Sequence, residues 1–149
     1  MSKLNLVVLG KLKDKSLANL EADFLKRIHK PALNIIELKA KSDDLLFEGR
    51  QITQFMDKNP GTYIALTEHG KECRSVEFSK MLQKDLDSPQ NIYFFISGAV
   101  SFEEAALSKM HKKISLSKLT FPHKFARLIA VEQIYRAQCI RDDHPYHND

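Results

Sequence analysis

Apolar residues follow two alternating patterns along this chain: short, nearly continuous apolar runs, and longer stretches with apolar residues at helical spacing. The short runs predict five strands, at residues 4–9, 34–38, 62–67, 91–96 and 114–117. The helical repeats between them predict helices at residues 15–30, 43–58, 75–86 and 102–110, with Ser75 as the N-cap of the third. A turn is expected at residues 68–71, directly after the third strand.

The last third of the chain predicts a helix of a different kind. A loop at residues 118–123 leads into a segment rich in apolar residues that reaches Arg136. Its polar residues, Arg127, Glu132 and Arg136, are interspersed with apolar positions rather than collected on one side. A helix that is apolar nearly all round is buried or packed against a partner. We therefore expect these charges to be paired or to meet a ligand.

The regular alternation of strand and helix predicts the fold class. Strands that are apolar throughout are typical of an α/β fold with a parallel sheet and helices on both faces. No linker, repeat or low-complexity segment interrupts the pattern, so residues 1–149 are expected to form a single domain. Ligands of such sheets bind outside the carboxyl ends of the strands, which draws attention to residues 66–70, 97–101 and 117–123.

Composition and charge narrow the function only slightly. The 149 residues carry a formal charge of +4, which permits a polyanionic partner such as RNA. Cys73 and Cys139 lack metal-ligand spacing, so no metal site is expected. No apolar run approaches membrane length and no signal-sequence pattern opens the chain, which predicts a cytoplasmic protein with no membrane partner. Basic residues that face either RNA or solvent are Lys11, Lys13, Lys15, Lys26, Arg27 and Lys30.

Common nucleotide and nucleophile motifs are missing from the strand ends. Gly10 stands alone after the first strand, without the further glycines of a dinucleotide-binding loop. There is no phosphate-binding loop ending in Gly-Lys-Ser or Gly-Lys-Thr, and no Gly-x-Ser-x-Gly elbow. Dinucleotide binding, phosphoryl transfer and serine-type hydrolysis are therefore not expected.

A set of residues in the last third of the chain points to one family. They are Leu116-Ser117, Leu119-Thr120, Pro122-His123, Arg127, Glu132, Tyr135-Arg136 and His144-Pro145-Tyr146-His147. With this set, the chain resembles the ribosomal RNA large subunit methyltransferase H family over essentially its whole length. That family is a small, single-domain branch of the SPOUT methyltransferases.

The resemblance implies a fold, a reaction and partners. The fold is an α/β domain with a SPOUT-type C-terminal trefoil knot, and the protein acts as a homodimer. The reaction transfers a methyl group from S-adenosylmethionine to N3 of a pseudouridine in 23S rRNA, within the large subunit or the assembled ribosome. Carried over by position, the cofactor-binding residues are Leu66, Ser97, Gly98, Leu116, Ser117, Lys118, Leu119, Thr120 and Phe121.

The C-terminal residues are the candidates for binding the target base or for general-base catalysis. His144, Tyr146 and His147 either position the substrate or act as the general base that removes the N3 proton. An aromatic or imidazole ring there could also stack on an unpaired base. Arg136 is predicted to contact RNA, although its spacing from Glu132 equally favours a local ion pair. In a homodimer, this tail could reach the partner's cofactor cleft.

One loop departs from the family pattern. After the fourth strand the family carries Gly-Gly-Pro-Glu-Gly, whereas this chain has Ser97-Gly98-Ala99-Val100-Ser101. The small residues still allow close approach of a cofactor. The lost acidic residue leaves open an alternative, a non-catalytic RNA- or ribosome-binding SPOUT paralogue. Flavodoxin-like binding of a small molecule is a third hypothesis, supported only by the alternation of strands and helices.

Overall fold

The computed structural model describes residues 2–41, 44–98 and 101–148, which form five strands and five helices in regular alternation. The elements are β1 (Leu4–Leu9), α1 (Lys15–Arg27), β2 (Leu33–Leu38), α2 (Leu45–Lys58), β3 (Thr62–Glu72), α3 (Ser75–Leu86), β4 (Ile92–Ile96), α4 (Glu104–Ser108), β5 (Lys112–Ser115) and α5 (His123–Arg141). No helix in these three ranges has both the length and the apolar character needed to cross a membrane.

The strands form one parallel sheet in the order β2-β1-β4-β3-β5. Neighbouring side chains of a strand point to opposite faces, so each strand contributes to two apolar clusters. Phe94 of β4 packs in the cluster that α1, α3 and α5 cover. Phe95, the next residue, packs in the cluster that α2 and the α4 segment cover. The predicted parallel sheet with helices on both faces is confirmed.

The turn predicted at residues 68–71 is wrong, because these residues belong to a longer β3 that ends at Glu72. β3 pairs with β5 across a register shift in which Leu66 and Lys71 both align with Ile114. A Cβ at Gly70 would lie 2.6 Å from the backbone of Lys113 and Ile114, so the glycine permits this close approach. Residues 67–70 lie between the two paired positions as an irregularity of β3, and pairing with β5 resumes at Lys71.

Boundaries or caps differ from the predictions in α1, α2, α3, α4 and β5. α1 ends at Arg27 rather than at residue 30, and β5 covers Lys112–Ser115 rather than residues 114–117. The N-cap of α3 is Arg74, whose backbone N–H donates to Glu77 (2.8 Å), and not Ser75 as predicted. The Ser75 hydroxyl donates instead to Gln133 on α5 (2.7 Å). α4 covers only Glu104–Ser108, since its flanking apolar residues are buried outside the helix. The start predicted for α2, Asp43, lies outside the described residues; α2 begins at Leu45 and is capped by the Asp44 side chain.

α5 is the most enclosed helix, as its apolar pattern predicts. Ala130, Val131 and Ile134 are buried against the sheet, between α1 and α3. Its charged residue Arg127 is also buried and is paired with carboxylates on α1 and β2. Because α5 is buried on several sides, its polar residues are not confined to one face of the helix.

Candidate functional site

A cleft of about 480 Å³ opens at the carboxyl ends of β3, β4 and β5. Three chain segments form its walls: β3 from Leu66 to Glu68, where its register with β5 shifts, the exit of β4, and the loop between β5 and α5. The helices that follow β3 and β4 pack on opposite faces of the sheet. A crevice is therefore expected between these strands, because the chain leaves the sheet in opposite directions there.

Eight of the nine predicted cofactor residues line this cleft. They are Leu66, Ser97, Gly98, Leu116, Ser117, Leu119, Thr120 and Phe121. The ninth, Lys118, is outside the lining and places its ammonium group 3.8 Å from a carboxylate oxygen of Glu72. The structure thus gathers residues from three separate parts of the sequence, as the family resemblance implies.

The cleft has apolar side chains beside backbone segments and small polar groups. Leu66 is buried at its base, whereas Leu119 is 71% exposed at its rim. The Leu119 N–H donates to the Ser117 hydroxyl (3.0 Å), which holds the loop in a tight turn. Such a lining suits a ligand with a flat apolar part and several hydrogen-bonding groups, because backbone amides can provide the polar contacts.

Gly98 meets a buried carboxylate from a different part of the chain. A Cβ at this position would overlap Oε1 of Glu48, a residue of α2 that is only 5% exposed. Glu48 accepts a hydrogen bond from the Lys41 N–H (3.2 Å), and burial raises the pKa of its carboxyl group. Of the loop that departs from the family pattern, Ala99 and Val100 lie outside the described residues.

The cleft residues that lie outside the ranges and residues indicated by the sequence are Ile96, Phe102 and Ala126. Ala126 lies in the first turn of α5. It reaches the cleft because the helix begins there, at His123. His123 also lines the cleft, and its side chain is exposed. Glu48 was missed as well, and no local signal could have found it, since its position beside Gly98 depends on packing of α2 under β4.

The C-terminal tail is folded back onto α5. The Tyr146 hydroxyl donates to Glu132 (2.7 Å), and Arg136 donates to the same carboxylate (2.8 Å). The Arg136 guanidinium lies over the Tyr146 ring (4.7 Å) and 3.1 Å from Nδ1 of His147. The backbone N–H of His144 donates to the Cys139 carbonyl (2.8 Å). The predicted substrate residues Arg136, Tyr146 and His147 are therefore brought together, with the exposed His144 beside them.

The electrostatics of this C-terminal cluster (Glu132, Arg136, Tyr146 and His147) define the state of the Tyr146 phenol. Burial and the hydrogen bond to Glu132 raise the pKa of Tyr146 to about 12. The phenol is therefore protonated at neutral pH and acts as a donor. Arg136, whose pKa the Glu132 carboxylate raises further, stays charged. Arg136 thus forms the local ion pair with Glu132, and its side chain remains 23% exposed.

The cleft and the C-terminal cluster are far apart within one chain. Thirteen helical steps separate His123 at the cleft from Arg136, or about 20 Å at 1.5 Å per residue. None of the four predicted substrate residues belongs to the cleft lining as the structure describes it. Arg127, for which a ligand role was also open, donates to Glu21 and Glu37 and is thereby a structural ion-pair residue.

Comparisons with known proteins show the family of the chain. A family model described as predicted SPOUT methyltransferase matches residues 2–147. A ribosomal RNA large subunit methyltransferase H from Campylobacter lari is 53% identical over 87 residues, covering 58% of this chain and 55% of the relative. The Bacteroides fragilis protein of that name is 43% identical over 104 residues (68% and 65%), and the one from Parabacteroides distasonis is 39% identical over 119 residues (78% and 71%).

The first two of these relatives are thus matched over less than two thirds of their own length. Among solved structures, a probable methylase family protein from Haemophilus influenzae superposes with a TM-score of 0.61 at 9% identity. That superposition covers 99% of this chain and 71% of the other. At such low identity it establishes a shared fold and nothing further.

Proposed function

The chain belongs to the SPOUT methyltransferase family, and from this membership we propose that it is an S-adenosylmethionine-dependent 23S rRNA methyltransferase. The acceptor is N3 of a pseudouridine in the large-subunit rRNA. The names of the relatives that match 39–53% of aligned residues support this assignment. We further propose that the chain carries the C-terminal trefoil knot and works in the cytoplasm, where ribosomes are found.

The observation that carries the proposal is the cleft itself. Its volume of about 480 Å³ lies within the usual range for pockets that hold small-molecule ligands and cofactors. Leu66, Leu116 and Phe121 supply apolar surface for an adenine, and the exits of β3 and β4 supply backbone groups. The residues present therefore fit S-adenosylmethionine, which when bound supplies an already activated methyl group.

The protein's own contribution is to position the acceptor and to handle one proton. N3 of pseudouridine must lose its proton for methylation, and a base or a favourable electrostatic site can promote this loss. The single O–H of Tyr146 donates to Glu132, so this residue is proposed to position the base through its aromatic ring. His144 and His147 are the candidates for the general base. Arg136 places a positive charge beside His147 and the Tyr146 ring.

A second copy of the chain is needed to bring these groups to the cleft. The C-terminal cluster lies about 20 Å along α5 from the cleft of its own chain, so the acting tail is proposed to come from the partner in a homodimer. Leu119 and Phe125, 71% and 43% exposed, form an apolar rim near the cleft that a partner would cover. Covering this rim would remove apolar surface from water.

Two measurements test the proposed function. Calorimetry should detect binding of S-adenosylmethionine and of its demethylated product to the purified protein. Mass spectrometry of rRNA from a strain lacking the protein should show loss of one methyl group on pseudouridine. Absence of cofactor binding at any achievable concentration would instead favour the non-catalytic RNA- or ribosome-binding paralogue.

A triple substitution separates the tail from the cleft. His144→Ala, Tyr146→Ala and His147→Ala together should abolish methyl transfer while changing cofactor affinity less than twofold. The reason is that the cleft lining contains none of these residues as the structure describes it. Unchanged turnover in this variant would contradict the proposed role of the tail.

A further inference from the structure

A second depression lies beside the cofactor cleft, on the other side of β4. It has a volume of about 340 Å³ and is formed by the exit of β1, the region after β2, Gly98 and the start of α5. β1 and β4 are neighbours in the sheet, but the helices that follow them pack on opposite faces. Their carboxyl ends therefore form a second crevice at which ligands are expected to bind.

We propose that this depression, termed the basic groove and lined by Lys11, Lys13, His123 and Lys124, binds the phosphodiester backbone of the RNA whose base enters the neighbouring cleft. The inference rests on the proposed function and assigns the RNA strand a path across the protein. Gly98 and His123 line both the basic groove and the cofactor cleft, so the two spaces share a wall.

The charge of the basic groove is not neutralised by the protein. Lys11, Lys13 and Lys124 are exposed. Within residues 2–41, 44–98 and 101–148, none of the three has a carboxylate oxygen within 4.0 Å. By contrast, the exposed Lys41 and the half-exposed Lys112 pair with Asp44 and Asp85. The Lys124 ammonium lies over the Phe125 ring (5.7 Å), which leaves its charge in place. Three ammonium groups without a carboxylate within 4.0 Å therefore surround one groove and attract a polyanion.

The two carboxylates in the groove lining are already engaged. Asp14 caps α1 by accepting the Leu17 N–H (3.0 Å). Glu48 is buried and accepts from the Lys41 N–H. The exposed part of the lining therefore carries three lysines and His123 against one exposed carboxylate, that of Asp14. The positive end of the α5 dipole adds to the same field, with no acidic residue in the first turn of that helix to offset it.

RNA is the partner that these observations favour. Lysine contacts with phosphate oxygens hold a nucleic acid in place without reading its bases. A methyl-transfer site needs such positioning, since the target base must be presented next to the donor. A groove that shares Gly98 and His123 with the cofactor cleft places the backbone contacts beside the site of chemistry.

The test compares two triple variants with the same change of charge. The groove variant is Lys11→Gln, Lys13→Gln and Lys124→Gln. The control variant is Lys58→Gln, Lys80→Gln and Lys84→Gln, whose lysines are exposed on α2 and α3 outside the groove lining. Binding to ribosomes from a strain lacking the protein is measured by sedimentation over a range of salt concentrations. Methyl transfer and S-adenosylmethionine affinity are measured in parallel.

The groove variant should bind ribosomes at least tenfold more weakly, with a matching rise in KM for ribosomes. The negative slope of its log affinity against log salt should become shallower by about 2, because each lost phosphate contact reduces the size of the slope by roughly 0.7–1. S-adenosylmethionine affinity and kcat at saturating ribosomes should stay within twofold. The control variant should differ from the wild type less than twofold.

Two results would overturn the inference. Equal weakening in both variants would mean that only net charge matters. Weakening with an unchanged salt slope would mean that the groove meets ribosomal protein rather than RNA. Failure of the proposed function is distinguishable, because it would appear as loss of cofactor binding in the wild type while the sedimentation comparison still reports on the groove.

Discussion

Arg127 on α5 and Glu21 on α1 are joined by two parallel hydrogen bonds, of 2.6 and 2.9 Å, in a buried setting. The same guanidinium donates to Glu37 on β2 (2.8 Å). One side chain therefore ties the last helix to the first helix and to an edge strand of the sheet. Because α5 also begins at the cofactor cleft, this ion-pair network positions the helix that supplies His123 and Ala126.

Replacing Arg127 should be strongly destabilising. Arg127→Met keeps much of the side-chain volume but leaves the Glu21 carboxylate buried without its partner, at a cost of about 3–5 kcal/mol. Urea denaturation followed by circular dichroism measures the change. The triple variant Glu21→Gln, Arg127→Met and Glu37→Gln should recover much of the loss, since no buried charge remains. If the single variant is as stable as the wild type, the network contributes nothing to stability.

Tyr146 should make stability depend on pH in the alkaline range. The pKa of this phenol is raised to about 12 in the folded state, whereas an unperturbed tyrosine titrates near 10. Its stabilising effect is therefore complete below about pH 10 and lost between pH 10 and 12. Tyr146→Phe should be less stable by about 1 kcal/mol at pH 8, from loss of the bond to Glu132, and this difference should shrink as the pH rises above 10. Thermal unfolding at several pH values checks this; a gap that persists unchanged at pH 12 would contradict it.

Glu48 should destabilise the folded state near neutral pH, whereas Tyr146 stabilises it there. Burial raises the pKa of its carboxyl group, so ionisation is harder in the folded state than in the unfolded state. The cost is absent below the unfolded pKa of about 4.3 and grows as the pH rises above it. Glu48→Gln, which keeps an acceptor for the Lys41 N–H, should raise Tm relative to the wild type at pH 7 and have little effect at pH 4. A variant less stable than the wild type at pH 7 would show that the charged carboxylate is needed beside Gly98.

Leu119 and Leu46 form a matched pair for testing the cleft. Both are exposed leucines, 71% and 60%, but only Leu119 lines the cleft. Replacing either by Ala should change the free energy of unfolding by less than about 0.5 kcal/mol, as expected for surface positions. Leu119→Ala should weaken S-adenosylmethionine binding several-fold because apolar wall is lost, whereas Leu46→Ala should not. Calorimetric titration distinguishes them; equal affinities would place the cofactor elsewhere.

Much of the fold could be predicted because its signals are local. The continuous apolar run of β1 and the helical repeat of α1 each lie within a short window, and both are found where expected at their amino ends. The residues of the cleft could be predicted only through the family resemblance, since Leu66 and Gly98 carry no distinctive chemistry of their own. Gly70 shows the limit of local reasoning, because its close approach to the backbone of β5, within the register shift of β3, depends on a strand more than 40 residues away.

By itself, the sequence determined the alternation of strands and helices, the parallel sheet and the family, because apolar periodicity and motif residues are properties of neighbouring positions. Only the tertiary structure decided which residues, distant in sequence, contact each other. It placed Glu48 beneath Gly98, paired Arg127 with Glu21, and folded Tyr146 onto Glu132 some distance from the cleft. These contacts join residues 14 to 106 positions apart, and such distances close only when the whole sheet and its helices pack together.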